Sequence, residues 1–145
     1  MQERLVQAVR AIASDEAALG WTLDYARERR MFGKTLADFQ NAQFVLAGIR
    51  AKLLTQRVII DLHLDDQLNA VDAAMAKLVS TELHFKVKDQ CLQFFGGWGY
   101  MTEFPIARAF VDSRLGRIGG DSIETMKHLV AKDMMRSAAR NTKAT

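Results

Sequence analysis

A glycine-rich break among aromatic residues is the part of the sequence best suited to bind a flat ligand. Gly96, Gly97 and Gly99 fall within four positions, and each glycine costs a helix about 1 kcal/mol relative to alanine. Glycine also permits a positive φ and the close approach of a bulky partner to the backbone. Aromatic side chains crowd the same stretch, namely Phe94, Phe95, Trp98, Tyr100 and Phe104. Two interpretations stay open: a helix C-cap with a packed aromatic corner, or exposed backbone against a flat ligand.

Other kinds of catalytic chemistry have no matching pattern. Three histidines, His63, His84 and His128, lie on separate predicted helices without metal-binding spacing, so the sequence predicts no metal site. No serine stands in a nucleophile motif, and no phosphate-binding loop of the Walker type is present. The single cysteine, Cys91, excludes an internal disulfide, and we expect it to be a small buried residue.

The composition is that of one ordinary globular domain. The chain has 145 residues, of which 49% are hydrophobic, enough for a core. Its net charge of +3 is spread along the sequence without a basic block, which argues against a nucleic-acid-binding surface. No apolar run approaches the ~20 residues that span a bilayer, and no signal peptide opens the chain. Because Met1 directly precedes a helical pattern, we expect a piece of a longer protein or one subunit of a split one.

Hydrophobic periodicity and helix-end signals predict helices throughout and no strand. The helices cover residues 2–30, 39–65, 70–95, 105–115 and a last segment from Asp121 or Ser122 to about Arg140. Gly33 is expected to end the first helix after a cationic last turn, and Asp38 or Thr35 to cap the second. With short links, this order predicts an all-α fold: an antiparallel up-and-down four-helix bundle with an extra short helix.

Apolar stripes predict which helix faces are buried. The first helix has the stripe Leu5, Val9, Ile12, Ala13 and Ala17, and the third has Val71, Ala74, Met75, Leu78, Glu82, Phe85, Asp89 and Leu92. The second helix has two stripes, one through Ala42, Val45, Leu46, Ile49 and Leu53 and the other through Phe44, Ala51, Leu54, Val58 and Leu62. A helix that is apolar on two sides contacts neighbours on two sides, which predicts a central position or a subunit interface.

Two sequence blocks resemble the signature of the acyl-CoA dehydrogenases. The first is Gln-Phe-Phe-Gly-Gly-Trp-Gly-Tyr at residues 93–100, followed by residues 103–108 and Asp112. The second is Arg-Arg-Met-Phe-Gly-Lys at residues 29–34, with Gln40. The resemblance covers nearly the whole chain, but only the C-terminal helical domain of the family. It implies that residues 1–145 form that domain, without the family's N-terminal helical and middle β domains.

The resemblance also implies an activity. The family oxidises the Cα–Cβ bond of an acyl-CoA thioester to the 2-enoyl-CoA: a glutamate removes the α-proton and FAD takes the β-hydride. We therefore expect FAD as the cofactor, an acyl-CoA as the substrate, an electron-transfer flavoprotein as the acceptor, and a homodimer or homotetramer. The expected compartment is the mitochondrial matrix or a bacterial cytoplasm.

The family's base is missing from its usual place. Most members carry it in a Tyr-Glu-Gly-Thr loop before the last helix, where this chain has Gly119, Gly120, Asp121 and Ser122. A branch that resembles the isovaleryl-CoA and long-chain enzymes instead has a glutamate immediately before an arginine on the first helix of the domain. By that resemblance Glu3 is the candidate base, with Arg4, Gly119 and Gly120 in the substrate pocket. Considered alone, a glutamate in a first helical turn is simply favoured by the helix dipole.

A first group of FAD contacts is implied around the end of the first helix. Arg29 would reach the pyrophosphate, for which a fixed cation is suited. Met31 and Phe32 would line the nucleotide across a dimer interface, with Gln40 nearby. Considered alone, Arg29 is a helix-end cation on a solvated face.

A second group of FAD contacts is implied by the two glycine-containing loops. Gln93, Gly96 and Gly97 would lie against the adenosine part, Ser122 would hydrogen-bond near the cofactor, and Glu124 would stand near the adenine end. Ser122 is equally suited to cap the last helix.

Two departures from the family pattern favour alternatives to full activity. Asp121 replaces a glycine and adds a negative charge close to where the FAD phosphates or ribityl chain would pass, and Gly119 replaces an aromatic residue that usually lines the pocket. The alternatives are a non-catalytic helical oligomerisation module and one subunit of a split heteromeric dehydrogenase, inactive alone.

Overall fold

A computed structural model describes residues 2–65 and 69–142, without the side chains of residues 62–65, 141 and 142. The helices in these ranges are α1 (Gln2–Glu28), α2 (Gln40–Asp65), α3 (Ala70–Phe95), α4 (Pro105–Leu115) and α5 (Ile123–Thr142). Short 3-10 helices cover Leu36–Asp38 and Gly96–Tyr100. The all-α prediction is confirmed, with four long helices and one short one. None of the described helices is long and apolar enough to cross a membrane.

The core lies where α3 packs against its neighbours. The main contact of α3 is with α1, and it also contacts α4 and α5. Nine buried residues form the central apolar cluster: Ala18, Leu19, Leu46, Ile49, Leu53, Val87, Cys91, Phe95 and Ile106. The ring of Phe95 stacks on Tyr25 with centroids 4.3 Å apart. Cys91 is fully buried, as predicted.

The buried faces of α1 and α3 differ from the predicted ones. Of the α1 stripe only Ile12 is buried, whereas Ala13 and Ala17 are exposed. Of the α3 stripe only Ala74 is buried. The faces that do pack carry polar residues among small ones: Asp15 and Thr22 on α1, and Lys77, Ser80, Thr81, His84 and Lys88 on α3. They are buried because they find partners inside the protein, which an apolar stripe does not reveal.

Buried hydroxyl groups on these faces are satisfied within their own helices. The Thr22 hydroxyl donates to the Ala18 carbonyl at 2.7 Å, and the Ser80 hydroxyl donates to the Ala76 carbonyl at 2.6 Å. The Thr81 hydroxyl likewise donates to the Lys77 carbonyl at 2.8 Å. The α1–α3 contact can therefore be dry without leaving these groups unpaired.

A small hairpin follows α1, and the prediction that the chain has no strand is wrong here. Strand β1 (Arg30–Met31) pairs antiparallel with β2 (Lys34–Thr35), so α1 ends earlier than Gly33. The turn residues Phe32 and Gly33 have φ of 51° and 82°. Two successive positive φ values match the twist of a two-residue hairpin. The Thr35 and Asp38 side chains then form a capping box at the 3-10 turn before α2.

Only one of the two apolar stripes of α2 packs within the part of the chain whose side chains are described, so contact with neighbours on two sides stays a prediction. Ala42, Leu46, Ile49 and Leu53 are buried, whereas the residues of the second stripe, Phe44, Ala51, Leu54 and Val58, are exposed. The predicted stripe member Leu62 lies outside the residues whose side chains are described. This chain therefore leaves one apolar face of α2 uncovered.

Candidate active site

The start of α1 meets the loop between α4 and α5. Gly120 in this loop has a φ of +59°, and a Cβ added there would lie 2.8 Å from Oε1 of Glu3. Glu3 as a residue is exposed, but its carboxylate is turned toward this loop. The carboxylate therefore occupies the space that a side chain at position 120 would need. The structure brings together the two positions that the sequence pairs as candidate base and vacant base site.

Lys77 on α3 binds this loop through hydrogen bonds. Its side chain is buried, with 1% of the residue exposed. Its ammonium donates to the Gly119 carbonyl at 2.6 Å, to the Asp121 carbonyl at 2.5 Å, and also to the Gly120 carbonyl. Burial lowers the pKa of Lys77, an effect that the negative charges of Asp121 and Glu3 oppose. The three donors of one ammonium thus bind three successive carbonyls.

Asp121 is paired with Arg4. Nη2 of Arg4 donates to Oδ2 of Asp121 at 2.9 Å, which links the first turn of α1 to the loop. Asp121 has a φ of +72°, a conformation that aspartate tolerates better than most side chains do. The negative charge that departs from the family pattern is therefore paired with a neighbouring cation, Arg4.

A large cleft lies at the opposite end of α1. It has a volume of about 1050 Å³ and lies between the end of α1, the hairpin and the end of α3. Six of the nine predicted cofactor residues line it: Arg29, Met31, Phe32, Gln93, Gly96 and Gly97. Its other walls are largely apolar and aromatic, including Tyr25, Phe39, Phe94 and Trp98. The arrangement offers a largely apolar slot that is also lined by one cation, Arg29, one carboxylate, Asp89, and three amide side chains, Asn41, Gln90 and Gln93.

The glycines of the break have different roles. A Cβ added at Gly96 or Gly97 would meet no atom within 4 Å, so the backbone at both positions is open. Gly99 is buried, and a Cβ there would lie 2.8 Å from the Leu92 carbonyl oxygen. Phe104 meanwhile packs against both Phe95 and Trp98. The packed-corner interpretation thus fits Gly99, and open backbone toward a cleft fits Gly96 and Gly97.

The other three predicted cofactor residues, Gln40, Ser122 and Glu124, are not among those that line the cleft. Gln40 begins α2 and is exposed, between the cleft residues Phe39 and Asn41. Ser122 and Glu124 stand at the start of α5, beside the Glu3 locus. The Ser122 hydroxyl accepts from the Thr125 amide at 3.4 Å, and nearby hydrogen-bond donors lower the pKa of Glu124. The predicted cofactor set is therefore split between the two ends of α1.

The comparison with known proteins decides the family. The family described as "Acyl-CoA dehydrogenase, C-terminal domain" matches residues 1–135. This chain belongs to the acyl-CoA dehydrogenase family. The long-chain specific acyl-CoA dehydrogenase of Rattus norvegicus mitochondria is 41% identical over 138 residues, which cover 92% of this chain and 32% of the relative. The chain thus spans about a third of the length of such relatives.

Solved acyl-CoA dehydrogenase structures have the same fold. The enzyme from Geobacillus kaustophilus superimposes with a TM-score of 0.89 at 32% identity, covering 92% of this chain and 36% of that one. The butyryl-CoA dehydrogenase of Megasphaera elsdenii gives a TM-score of 0.86 at 29% identity, covering 91% and 36%.

Sequence reasoning missed two buried lysines of this acyl-CoA dehydrogenase domain. One is Lys77. The other, Lys88, donates to Oδ1 of Asp15 at 3.0 Å and to the Ser14 carbonyl at 2.6 Å. Nδ1 of His84 lies 2.7 Å from the same Asp15 oxygen. A signal was available, because Lys77, His84 and Lys88 recur at helical spacing and so share one face of α3.

Proposed function

We propose that this domain is part of an FAD-dependent dehydrogenase that oxidises an acyl-CoA thioester to the 2-enoyl-CoA, with Glu3 as the base. The observation that carries the proposal is the Glu3 carboxylate in the side-chain space of Gly120. A base displaced from position 120 to the first helix has to reach the same region, and the distance of 2.8 Å between Oε1 of Glu3 and the Cβ position of residue 120 supports this role. Family membership supports the reaction class, and the geometry of Glu3 supports the residue.

The large cleft supports FAD as the cofactor. Open backbone at Gly96 and Gly97 would accept a flat ring system at close range, and Arg29 would supply a cation for a pyrophosphate. The exposed Phe32 would add an apolar cover. When bound, FAD supplies an acceptor for the hydride that leaves Cβ of the acyl group.

The separation of the two loci supports an assembly of at least two copies. Helix α1 has 27 residues and at ~1.5 Å per residue is roughly 40 Å long. Glu3 and Arg29 stand near its opposite ends, farther apart than one FAD molecule extends. Each complete site would thus take Glu3, Ser122 and Glu124 from one copy and the hairpin residues from another. We propose a homodimer or homotetramer, for which the uncovered face of α2 offers apolar surface.

The chain's own residues then have distinct tasks. Glu3 would take the α-proton, because its carboxylate stands over Gly120, which has no side chain. Gly119 and Gly120 would leave room for the thioester end of the substrate. Arg4 would keep Asp121 paired and directed away from the reacting carbons. The acceptor would be an electron-transfer flavoprotein, and the compartment the mitochondrial matrix or a bacterial cytoplasm.

The test combines this domain with the family's N-terminal helical and middle β domains. The assembled protein should bind FAD, and an acyl-CoA should bleach the flavin absorbance. Glu3→Gln should abolish bleaching and leave FAD binding intact, because only the proton acceptor is removed.

A matched control removes the same charge elsewhere. Glu82→Gln should lose only a 3.4 Å pair with Lys127 and keep the bleaching rate. Unchanged bleaching in Glu3→Gln would remove Glu3 as the base. Failure of the assembled protein to bind FAD would favour the non-catalytic oligomerisation module.

A further inference from the structure

Lys77 is fully buried although its side chain ends in a charged group, and apolar packing does not explain this burial. Lys77 and Lys88 are the fully buried lysines among the side chains that the structure describes. Lys88 has a carboxylate partner, Asp15, at 3.0 Å. Among the residues that the structure describes, Lys77 has none in direct contact, and its donors go to the backbone of residues 119–121. A buried charge committed wholly to one loop points to a function of that loop.

We propose that Lys77 is a positioning residue of the active site, which fixes the backbone of residues 119–121 and thereby the place of the Glu3 carboxylate over Gly120. The proposal rests on the proposed function and adds a residue to it. Lys77 touches neither substrate nor cofactor in this proposal.

The loop needs such a residue because one of its members, Asp121, has a backbone conformation that costs free energy. Gly120 and Asp121 have successive φ values of 59° and 72°. Glycine adopts this region readily, whereas a residue with a side chain persists there only where its surroundings enforce it. Three convergent hydrogen bonds from one ammonium, together with the Arg4–Asp121 pair, supply that enforcement.

The charge of Lys77 matters as well as its hydrogen bonds. A neutral amine has two N–H donors, so three carbonyls are satisfied only by the ammonium form. The spot where a Gly120 Cβ would stand is 2.8 Å from Oε1 of Glu3 and 3.6 Å from Nζ of Lys77. The ammonium and the carboxylate therefore flank the same point. The charged groups facing Lys77 are Glu3 and Arg4 from α1 and Asp121 from the loop.

The first test follows Lys77 itself by 15N NMR of the 145-residue chain. Because the negative charge of Glu3 raises the pKa of Lys77 against the effect of burial, Glu3→Gln should lower it further. The size of this response reports how close the Glu3 carboxylate lies to the Lys77 ammonium, a closeness that the positioning role requires. An unchanged Lys77 titration in Glu3→Gln would overturn the proposal, whether or not the assembled protein turns over acyl-CoA.

The second test removes the charge and keeps the length of the side chain. In Lys77→Met the Gly119 amide, which donates to the Leu115 carbonyl at 2.8 Å, should exchange its proton at least about tenfold faster. In the assembled enzyme kcat should fall about 10- to 100-fold, since a ~1 Å misplacement costs that much. FAD affinity and KM should change less than twofold. An unchanged kcat in a folded Lys77→Met protein would overturn the proposal.

Two further variants separate positioning from general stability. Lys88→Met removes the other buried lysine of α3, 11 positions along the helix and so roughly 16 Å away. It should destabilise the protein but leave the Gly119 amide and kcat unchanged. If Lys77→Met does not fold, Lys77→Arg takes its place. Arginine retains the positive charge, but its planar guanidinium cannot direct three N–H donors to the three carbonyls that Lys77 binds. The Lys77→Arg protein should fold and show the same selective loss of kcat, and full activity in it would overturn the proposal.

Discussion

Substituting Gly120 by alanine gives the sharpest test of where the Glu3 carboxylate stands. The new Cβ would lie 2.8 Å from Oε1 and 3.3 Å from Cδ of Glu3, so the carboxylate has to move. Reaching an ordinary contact distance of ~3.5–4.0 Å requires a shift of roughly 1 Å. A displacement of that size lowers the rate of a positioned reaction by about 10²-fold. The carboxylate is the mobile end of a side chain, so the shift itself costs little stability.

The stability loss in Gly120→Ala should come from the backbone instead. The φ of +59° is left-handed, and an L-residue pays about 1–2 kcal/mol there. For a chain of this size, that corresponds to a fall of roughly 3–6 °C in the unfolding midpoint. The expected result is therefore a modest loss of stability combined with a large loss of activity.

Two assays follow the same substitution, the first on the 145-residue chain and the second on the assembled enzyme. Thermal unfolding gives the midpoint, and stopped-flow flavin bleaching by an acyl-CoA gives the rate in the assembled enzyme. Gly116→Ala is the control, because Gly116 has a helical φ of −57° and its added Cβ would meet only contacts of 3.5 Å or longer. It should leave both quantities nearly unchanged. A Gly120→Ala protein with the predicted stability loss but the original bleaching rate would refute the placement of the base.

Two further predictions concern the buried charges between α1 and α3. Asp15→Ala should lower the free energy of unfolding by about 3–5 kcal/mol, because it leaves the fully buried Lys88 ammonium without its carboxylate. Urea unfolding measures this, with Asp112→Ala on the exposed side of α4 as the control, and a loss below 1 kcal/mol would contradict it. Burial also lowers the pKa of Lys77 and of Lys88 below the ordinary 10.5. Between the native pKa values and 10.5 the unfolded chain binds more protons, so the free energy of unfolding should rise with pH in that window. In the double variant Lys77→Met, Lys88→Met, the free energy of unfolding should rise less with pH than in the unchanged protein. An equal slope in these two proteins would contradict the assignment of the rise to Lys77 and Lys88.

The starts of α3 and α4 were predictable because local chemistry sets them, whereas α1 ends before the predicted Gly33. Asn69 caps α3 by accepting from the Val71 and Asp72 amides at 2.8 and 3.0 Å, and Pro105 begins α4. Both signals act within three residues and need no tertiary information. The hairpin was not predictable from periodicity, since two-residue strands are too short to show an alternation. The positive φ of Phe32 is likewise unexpected for an aromatic residue.

The buried faces were not predictable from hydrophobicity because partners decide them. Lys77, His84 and Lys88 each look solvated until the loop at residues 119–121 or Asp15 is placed opposite. The pairing of Glu3 with Gly120 came from family resemblance, not from spacing. A separation of 117 positions carries no local signal. The sequence alone does not show which tertiary contacts allow a lysine to be buried.

Because α1 is one continuous helix, its length restricts how the sequence of such a domain can change. In the proposed site, Glu3 near one end of α1 is the proton acceptor and the other end leads into the hairpin that lines the cleft, so the number of residues between them sets their relative orientation. Deleting one residue between Ala8 and Ala26, both fully buried, would turn the two ends by roughly 100° against each other. Exposed residues of α1 can be substituted without turning its ends against each other, whereas the number of residues in the helix can hardly change.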